Sequence, residues 1–264
     1  MINRYFIYFI IMSFVGYIYE CIAMVIWTGK WDNRGFLYGP IIPIYGSASL
    51  FGTILFDQVI KDYSPLTVFL VSVFASAILE YVVHYTLEKI FHAYWWDYSK
   101  SPLNINGRIC LPASLGFGLA GLIIIYLINP VLIRFINSIN DLLAQFISLL
   151  FAFLFGADLT MTISVLSNFE KRVLSVDKYI NDHMESFIGN ITDESKGINT
   201  RFYSTVDKIE EKRKAVFNDR IERMINSDDS FYHRIINRVK GFTGKNAARL
   251  NEVLSRIKRR KNNE

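Results

Sequence analysis

Five long apolar stretches constrain what this chain can fold into. Crossing the hydrocarbon core of a bilayer takes roughly 20 predominantly apolar residues in a helix. Because lipid offers no hydrogen-bond partners, a spanning segment must satisfy its own backbone groups, and a helix does so. The sequence therefore predicts an all-α integral membrane protein with about five transmembrane helices, at residues 5–27, 36–58, 66–87, 109–133 and 142–166.

The chain changes character after residue 166. Residues 1–166 form the predicted transmembrane domain, whereas residues 170–264 contain 21 Lys and Arg against 15 Asp and Glu. Apolar residues such as Phe169, Val173 and Val176 recur there every three or four positions, which predicts amphipathic helices. We expect residues 167–264 to form a helical bundle or coiled coil. Their basic surplus favours anionic lipid headgroups over nucleic acid as a partner.

The loop charges predict the orientation of the protein. With five spans, the loops at residues 28–35 and 88–108 lie on the same side as the tail. They hold five basic residues, against three on the other side, at Arg4, Lys61 and Arg134. Since basic residues concentrate on the cytoplasmic side, we expect a multi-pass protein of the cell membrane, with its N-terminus outside and its tail in the cytoplasm.

The first two predicted spans and the next two share a sequence pattern. Glu20 lies 60 positions before Glu80, with similar residues around each. Each hairpin then carries a Trp-Asp pair, an Asn/Gly/Arg cluster and a proline: Trp31, Asp32, Asn33, Arg34, Gly35 and Pro40, then Trp96, Asp97, Asn106, Gly107, Arg108 and Pro112. The pattern predicts a duplicated two-helix hairpin with both copies in one orientation. Residues 98–105 are an insertion in the second copy.

Acidic residues inside the predicted spans are the first candidates for a site. Glu20, Glu80 and Asp158 are carboxylates in apolar surroundings, which are costly unless they are paired or hydrated. The other members of this candidate polar site are His84, one helical turn after Glu80, and the arginines Arg34 and Arg108. If each acid pairs with an arginine, the result is two structural salt bridges, or one polar site that holds an anionic group.

The polar loops contain a second set of candidates. Gly39 and Pro40 break the start of the second span, and such breaks need backbone partners from neighbouring helices or water. Trp95 and Trp96 fit an aromatic belt at the membrane interface. Asp97 is placed to cap a turn. Together with Asn33, Asn106 and Gly107, these residues form a candidate cytoplasmic loop motif.

Two of these motifs carry a family resemblance. The run Asn33-Arg34-Gly35-Phe36-Leu37-Tyr38-Gly39-Pro40 resembles the ABC-transporter type IV family of CmpB-like bacterial membrane proteins, and so does Trp95-Trp96-Asp97-Tyr98-Ser99. The resemblance covers residues 6–137 and implies a permease component. The chain contains no Gly-x-x-x-x-Gly-Lys-Ser/Thr loop for binding nucleotide phosphates. The resemblance therefore implies a separate ATPase subunit as partner.

Three functions remain open from the sequence. The first is a transporter subunit of unknown substrate, with its polar centre in the membrane and no cofactor or metal. The second is a membrane anchor whose tail recruits a cytoplasmic partner, and either could form a homo-oligomer. The third is an enzyme acting on lipid headgroups with Asp97 or His84 as base. No nucleophile or metal-binding signature supports that enzyme, so no catalytic residue is predicted.

Overall fold

The computed structural model describes residues 1–29, 35–60, 63–194, 211, 214–223, 225, 236, 238–244 and 247–263. The chain divides into two compact units. The first comprises Met1–Ile90 and Tyr94–Ile163, and the second comprises Phe91–Ala93 and Ser164–Glu264.

Four helices among the described residues are long and apolar enough to cross a membrane. They are Ile2–Ile26, Pro65–Phe91, Leu111–Ser138 and Asp141–Val176. Only 11% to 28% of the residues in their most apolar windows are buried inside the protein, so most of these apolar side chains lie on the outside, as lipid-facing residues do. The prediction of an all-α multi-pass membrane protein is confirmed.

The first unit contains six helices, counted over its described residues. They are α1 (Ile2–Thr28), α2 (Pro43–Ile54), α3 (Pro65–Phe91), α4 (Leu111–Ile123), α5 (Asn129–Ser138) and the first part of α6 (Asp141–Glu194). Three short strands lie between α3 and α4: β1 (Ala93–Tyr94), β2 (Asn104–Ile105) and β3 (Ile109–Cys110). Gly29 ends α1 in a left-handed conformation, and its N–H donates to the carbonyl of Val25.

The predicted span at residues 36–58 is only partly helical. The backbone is irregular from residue 35 to Ile42, and α2 begins at Pro43, which suits a first helical position because it lacks the N–H. The 12 residues of α2 and the 5 of the π-helical turn Leu55–Val59 follow. At about 1.5 Å per residue they extend roughly 25 Å, short of the ~30 Å hydrocarbon core. The fifth crossing therefore stays a prediction.

A second π-helical turn follows α4. Residues Ile124–Ile128 connect α4 to α5, and the backbone remains right-handed helical at both junctions. Each π turn places a large side chain in a buried cluster, since Phe56 and Ile125 pack together with Val68 of α3. The side chains of the two turns therefore pack the end of α2 and the end of α4 against α3 in one shared cluster.

The second unit has its own apolar core. Its described elements are α6 from Ser164 onward, the helical residues 214–223, the strand β4 (Gly241–Phe242) and α7 (Ala247–Asn263). Phe169 stacks on Phe242 at 5.5 Å between ring centroids. The Asn251 amide accepts a hydrogen bond from the N–H of Phe242 and donates one to its carbonyl. Its buried side chains include Phe217, Ile221, Ile225, Ile236, Val239, Val253, Leu254 and Ile257.

Candidate functional site

Glu20 lies on α1 and is bound by a tyrosine of α2. The Tyr45 hydroxyl donates a hydrogen bond of 2.5 Å to Glu20 Oε1. The Tyr45 ring packs so closely over Gly16 that a Cβ atom there would clash with it. Because Tyr45 is in the first turn of α2, the break before Pro43 sets the position of its hydroxyl.

Glu80 lies on α3 and is bound by a tyrosine from the following loop. The Tyr98 hydroxyl donates a 3.3 Å hydrogen bond to Glu80 Oε1. Glu80 is only 7% exposed, and its second oxygen, Oε2, has no hydrogen-bond partner in the described part of the chain. Burial, followed by the charges of Glu80 and Glu20, raises the pKa of Tyr98 above its usual range. Its hydroxyl therefore stays protonated and remains a donor.

The two acids belong to one carboxylate–tyrosine cluster, defined as Glu20, Tyr45, Glu80 and Tyr98. Glu20 interacts electrostatically with Glu80 and with Tyr98, and Tyr45 interacts with Tyr98. The thiol of Cys110, at the end of β3, also interacts with Tyr98. Within the part of the chain that the structure describes, no lysine or arginine bonds to either carboxylate. The cluster therefore has two acidic groups and two hydroxyl donors.

A β-hairpin in the loop holds Tyr98 in place. Strands β2 and β3 pair antiparallel, with Asn104 opposite Cys110. The turn between them has φ angles of 53° at Asn106 and 68° at Gly107, the two left-handed residues of a type I′ turn. The N–H of Tyr98 donates to the carbonyl of Gly107 at 2.8 Å. Asn-Gly is the strongest short hairpin signal in a sequence, yet we predicted no strands here.

Asp97 and Gly107 have structural roles in that loop. Asp97 Oδ1 accepts a 2.9 Å hydrogen bond from the N–H of Ser99, which is the predicted capped turn. A Cβ atom on Gly107 would lie 3.0 Å from the same oxygen, and the positive φ at Gly107 also disfavours any side chain. Asn104 adds hydrogen bonds to the carbonyls of Ser99 and Ser101.

Arg108 pairs with Glu88, not with Glu20 or Glu80 as predicted. One guanidinium nitrogen lies 2.8 Å from Glu88 Oε2, and another donates to the Tyr81 hydroxyl at 2.8 Å. The guanidinium also lies 5.1 Å from each of the ring centroids of Tyr81 and Tyr85. These contacts fasten the loop to the last turns of α3. The other predicted arginine, Arg34, and its neighbour Asn33 lie outside the described residues.

His84 and the two tryptophans are packed inside the first unit. His84 Nε2 lies 3.1 Å from the carbonyl of Trp96 and donates to it, while the Trp96 indole N–H donates to the carbonyl of Arg108. Trp95 is buried, with its ring 5.1 Å from that of Phe36. Trp95 therefore differs from an exposed interfacial aromatic, because its side chain is buried in the protein.

Asp158 binds the irregular backbone before α2. Its two carboxylate oxygens accept hydrogen bonds of 2.9 Å, one from the N–H of Tyr38 and one from the N–H of Gly39. Thr162, one turn later on α6, donates to the same carboxylate. Ile42 N–H donates to the carbonyl of Ser13 on α1. These contacts supply the partners that the break at Gly39 and Pro40 requires, so Asp158 is separate from the carboxylate–tyrosine cluster.

Sequence reasoning missed a third polar group, which links α1, α2 and α5. The Tyr8 hydroxyl donates to Asn129 Oδ1 at 2.6 Å, the Asn129 amide donates to Thr53 at 2.9 Å, and Thr53 donates to Tyr8 at 3.0 Å. All three are buried or nearly so. Asn129, a fully polar side chain just before Pro130 in an apolar run, was the available signal.

Comparison with known proteins places the described architecture in a family. The family described as "Putative ABC-transporter type IV" matches residues 7–163. The chain belongs to this family. The match extends beyond Asn137, where the sequence resemblance was expected to end, and it includes all four residues of the carboxylate–tyrosine cluster. No curated protein and no solved structure matches the chain.

The residues that match this family, 7–163, include the elements that build the cluster, from most of α1 to the β2–β3 hairpin and α4. Searching the described residues finds no group of three or more His, Cys, Asp or Glu side chains that could hold a metal ion. The chemistry that the described geometry provides is that of two carboxylates bound by hydroxyls, with Glu80 buried, and such groups bind protons, small cations or hydrogen-bonding solutes.

Proposed function

We propose that this protein is the membrane-spanning subunit of a transporter, with the carboxylate–tyrosine cluster as its polar centre. The observation that carries this proposal is that Glu20 and Glu80, on two different membrane helices, are each bound by a tyrosine hydroxyl and by no described basic side chain. Ionisable groups inside a membrane are costly, and those that persist mark substrate or ion pathways by default. A purely structural role would be better served by apolar packing or by a neutral hydrogen bond.

The proposal includes the predicted duplication of the hairpin, which two close helix contacts support. In the first hairpin Gly46 of α2 packs against α1, and in the second Gly118 of α4, 72 positions later, packs against α3. The contacted residues correspond as well, because those on α3 lie 60 positions after those on α1: Phe9 and Ser13, then Phe69 and Val73. A shared close contact at matching registers is what two copies of one hairpin would make.

Under this proposed duplication, the cluster would lie where the two copies meet. Glu20 and Glu80 are 60 positions apart, the same offset as the contact residues on α1 and α3. Tyr45 and Phe117 are 72 positions apart, the same offset as the two glycines, and their ring centroids lie 6.1 Å from each other. Contact between equivalent positions indicates a pseudo-twofold axis between them, and parallel repeats in transporters place their site at such an interface.

The break before α2 is a second supporting feature. Transporter sites are commonly built where a membrane helix is discontinuous and its backbone is satisfied by neighbouring helices. Residues 35–42 form such a segment, with Asp158 binding two of its N–H groups. The segment leads directly into Tyr45, so a change in its shape would move a hydroxyl of the cluster.

The proposal includes a separate ATPase, because this chain has no phosphate-binding loop. The test is to purify the tagged full chain from its native membranes in mild detergent and to identify the co-purifying proteins by mass spectrometry. We expect a nucleotide-binding ATPase at a fixed ratio to the chain. Glu80→Gln should keep that partner and lose most of the ATP hydrolysis that the complex couples to transport, whereas Asp141→Asn, an exposed acid, should keep both.

Two results would contradict this function. The first is a chain that purifies without any nucleotide-binding protein under conditions in which the wild-type phenotype is retained. The second is a Glu80→Gln complex whose coupled ATP hydrolysis equals that of the wild type. Loss of folded protein in Glu80→Gln would instead assign the cluster a structural role.

A membrane anchor is the second candidate, and the compact second unit favours it. That unit has a buried core and basic residues such as Arg249 and Arg256 on α7. Under the predicted orientation it faces the cytoplasm, where it could recruit a partner. Truncation after Glu170 separates the two functions: an anchor loses its phenotype entirely, whereas a transporter subunit retains its ATPase association through the membrane unit.

A further inference from the structure

We infer that the carboxylate–tyrosine cluster binds one monovalent cation, a proton or an alkali ion, between Glu20 and Glu80. The inference rests on the proposed function for its physiological use, since the cation would be the ion that transport moves or exchanges. The binding itself follows from the atoms of the cluster. Glu80 is more than nine-tenths buried, and its Oε2 lacks a hydrogen-bond partner among the described residues.

The cluster's own donors cannot neutralise its charge. Each carboxylate receives one hydroxyl hydrogen bond, from Tyr45 to Glu20 and from Tyr98 to Glu80. The other titratable groups facing the cluster are Tyr19 on α1 and Cys110 on β3. A protonated tyrosine or thiol is neutral, so these groups add hydrogen bonds and no positive charge.

Arg108 and His84, the described basic side chains of this loop and of the last turns of α3 that could approach the cluster, have other partners. Arg108 binds Glu88 at 2.8 Å and the Tyr81 hydroxyl. His84, one turn after Glu80 on α3, donates to the Trp96 carbonyl, and its other nitrogen faces Glu88 at 3.7 Å. With both carboxylates ionised, the cluster would hold two like charges, one of them on the buried Glu80, which a single bound cation relieves.

The pseudo-twofold arrangement favours one cation shared by both acids over two separate ones. Glu20 and Glu80 interact with each other and with the same hydroxyl, Tyr98. A proton on Glu80 Oε2 would remove the negative charge of that carboxylate. An alkali ion would instead take carboxylate and hydroxyl oxygens as ligands, as hard cations do. Whether the bound cation is a proton or an alkali ion, the cluster keeps one net negative charge.

The experiment uses the full chain in nanodiscs of zwitterionic phosphatidylcholine, without substrate. Infrared spectroscopy in choline chloride at about pH 8, where an exposed carboxyl group is ionised, reports the C=O band of a protonated carboxyl group. Thermal unfolding is then measured while sodium or potassium chloride replaces choline chloride. A protonated band in choline assigns the cation as a proton, and a saturable rise in Tm with sodium or potassium assigns it as an alkali ion.

Variants test whether the infrared band or the rise in Tm comes from the carboxylate–tyrosine cluster. We expect either signal to be lost in Glu20→Gln and Glu80→Gln and kept in Glu88→Gln, an acid on the same helix that binds Arg108 instead. A wild type with neither signal would overturn the inference without any variant having to fold. So would a signal that survives in the double variant Glu20→Gln/Glu80→Gln. Because binding is measured without an ATPase or a solute, a failed ATPase co-purification does not affect this result.

Discussion

Replacing Asp158 by alanine removes the carboxylate that accepts from two backbone N–H groups in the membrane unit, and leaves the N–H of Tyr38 only its longer, 3.3 Å hydrogen bond to Thr162 Oγ1. Tyr38 and Gly39 each donate to this carboxylate at 2.9 Å, and the irregular segment offers them no helical partner. Hydrogen bonds to a charged group contribute about 1.5–3 kcal/mol each. Because the segment is only half-buried, the lower end applies, and the two bonds together give about 3 kcal/mol.

That loss can be measured through the two free cysteines of the unit. Cys21 is 0% exposed and Cys110 is 3% exposed, so a thiol-reactive fluorogenic dye labels them only on unfolding. At about 2–4 °C per kcal/mol for a unit of this size, Asp158→Ala should lower Tm by about 6–12 °C. Asp158→Asn keeps one acceptor oxygen and turns an amide donor toward the other N–H, so it should lie between alanine and wild type.

The matched control is Asp141→Ala, on the same helix. Asp141 is 92% exposed and pairs with Arg4 at 3.1 Å, and exposed pairs of this kind contribute about 0–1 kcal/mol. A shift for Asp158→Ala no larger than that for Asp141→Ala would refute the reasoning. It would mean that water or another group satisfies the backbone before α2.

Three further predictions concern packing in the same unit and use the same labelling assay. Gly118→Leu should strongly lower Tm or prevent folding because the side chain would enter α3, whereas Gly116→Leu, with nothing within 4 Å of its Cβ position, should stay near wild type. Arg108→Lys should cost about 1 kcal/mol, since lysine cannot form the same guanidinium contacts between two tyrosine rings; an unchanged Tm would contradict this. Tyr8→Phe should cost about 1–2 kcal/mol because it leaves Asn129 short of a buried donor, and an increase in Tm would show that the hydrogen bond is dispensable.

The membrane helices were readable from the sequence because apolar length alone decides them. The irregular start of α2 was only partly readable: Gly39 and Pro40 marked a break, but no local signal showed that Asp158, 119 positions away from Gly39, would satisfy it. The π-helical turns left no local signal either. In the structure they coincide with the packing of Phe56 and Ile125 against α3, which joins residues far apart in sequence.

The acids of the candidate site could be predicted from the sequence, but their partners could not. Glu20 and Glu80 stood out because acids are rare in apolar runs, but their tyrosine partners did not, since tyrosine is common in membrane proteins. Pairing by charge alone predicted that Arg108 would bind Glu20 or Glu80, whereas it binds Glu88. In the structure the loop returns along α3, which brings Arg108 to Glu88 at the helix end and leaves Glu80 to Tyr98.

The insertion at residues 98–105 allows the two proposed copies of the two-helix hairpin to differ. Identical subunits related by a twofold axis must carry the same residue on both sides of it, whereas two halves of one chain are free to differ. Here one side has Tyr45 and the equivalent position is Phe117. The hydroxyl missing from the second half is provided by Tyr98, a residue of the insertion with no counterpart in the first. Under the proposed duplication, the two acids are therefore bound by hydroxyls of different origin, one from α2 and one from the insertion.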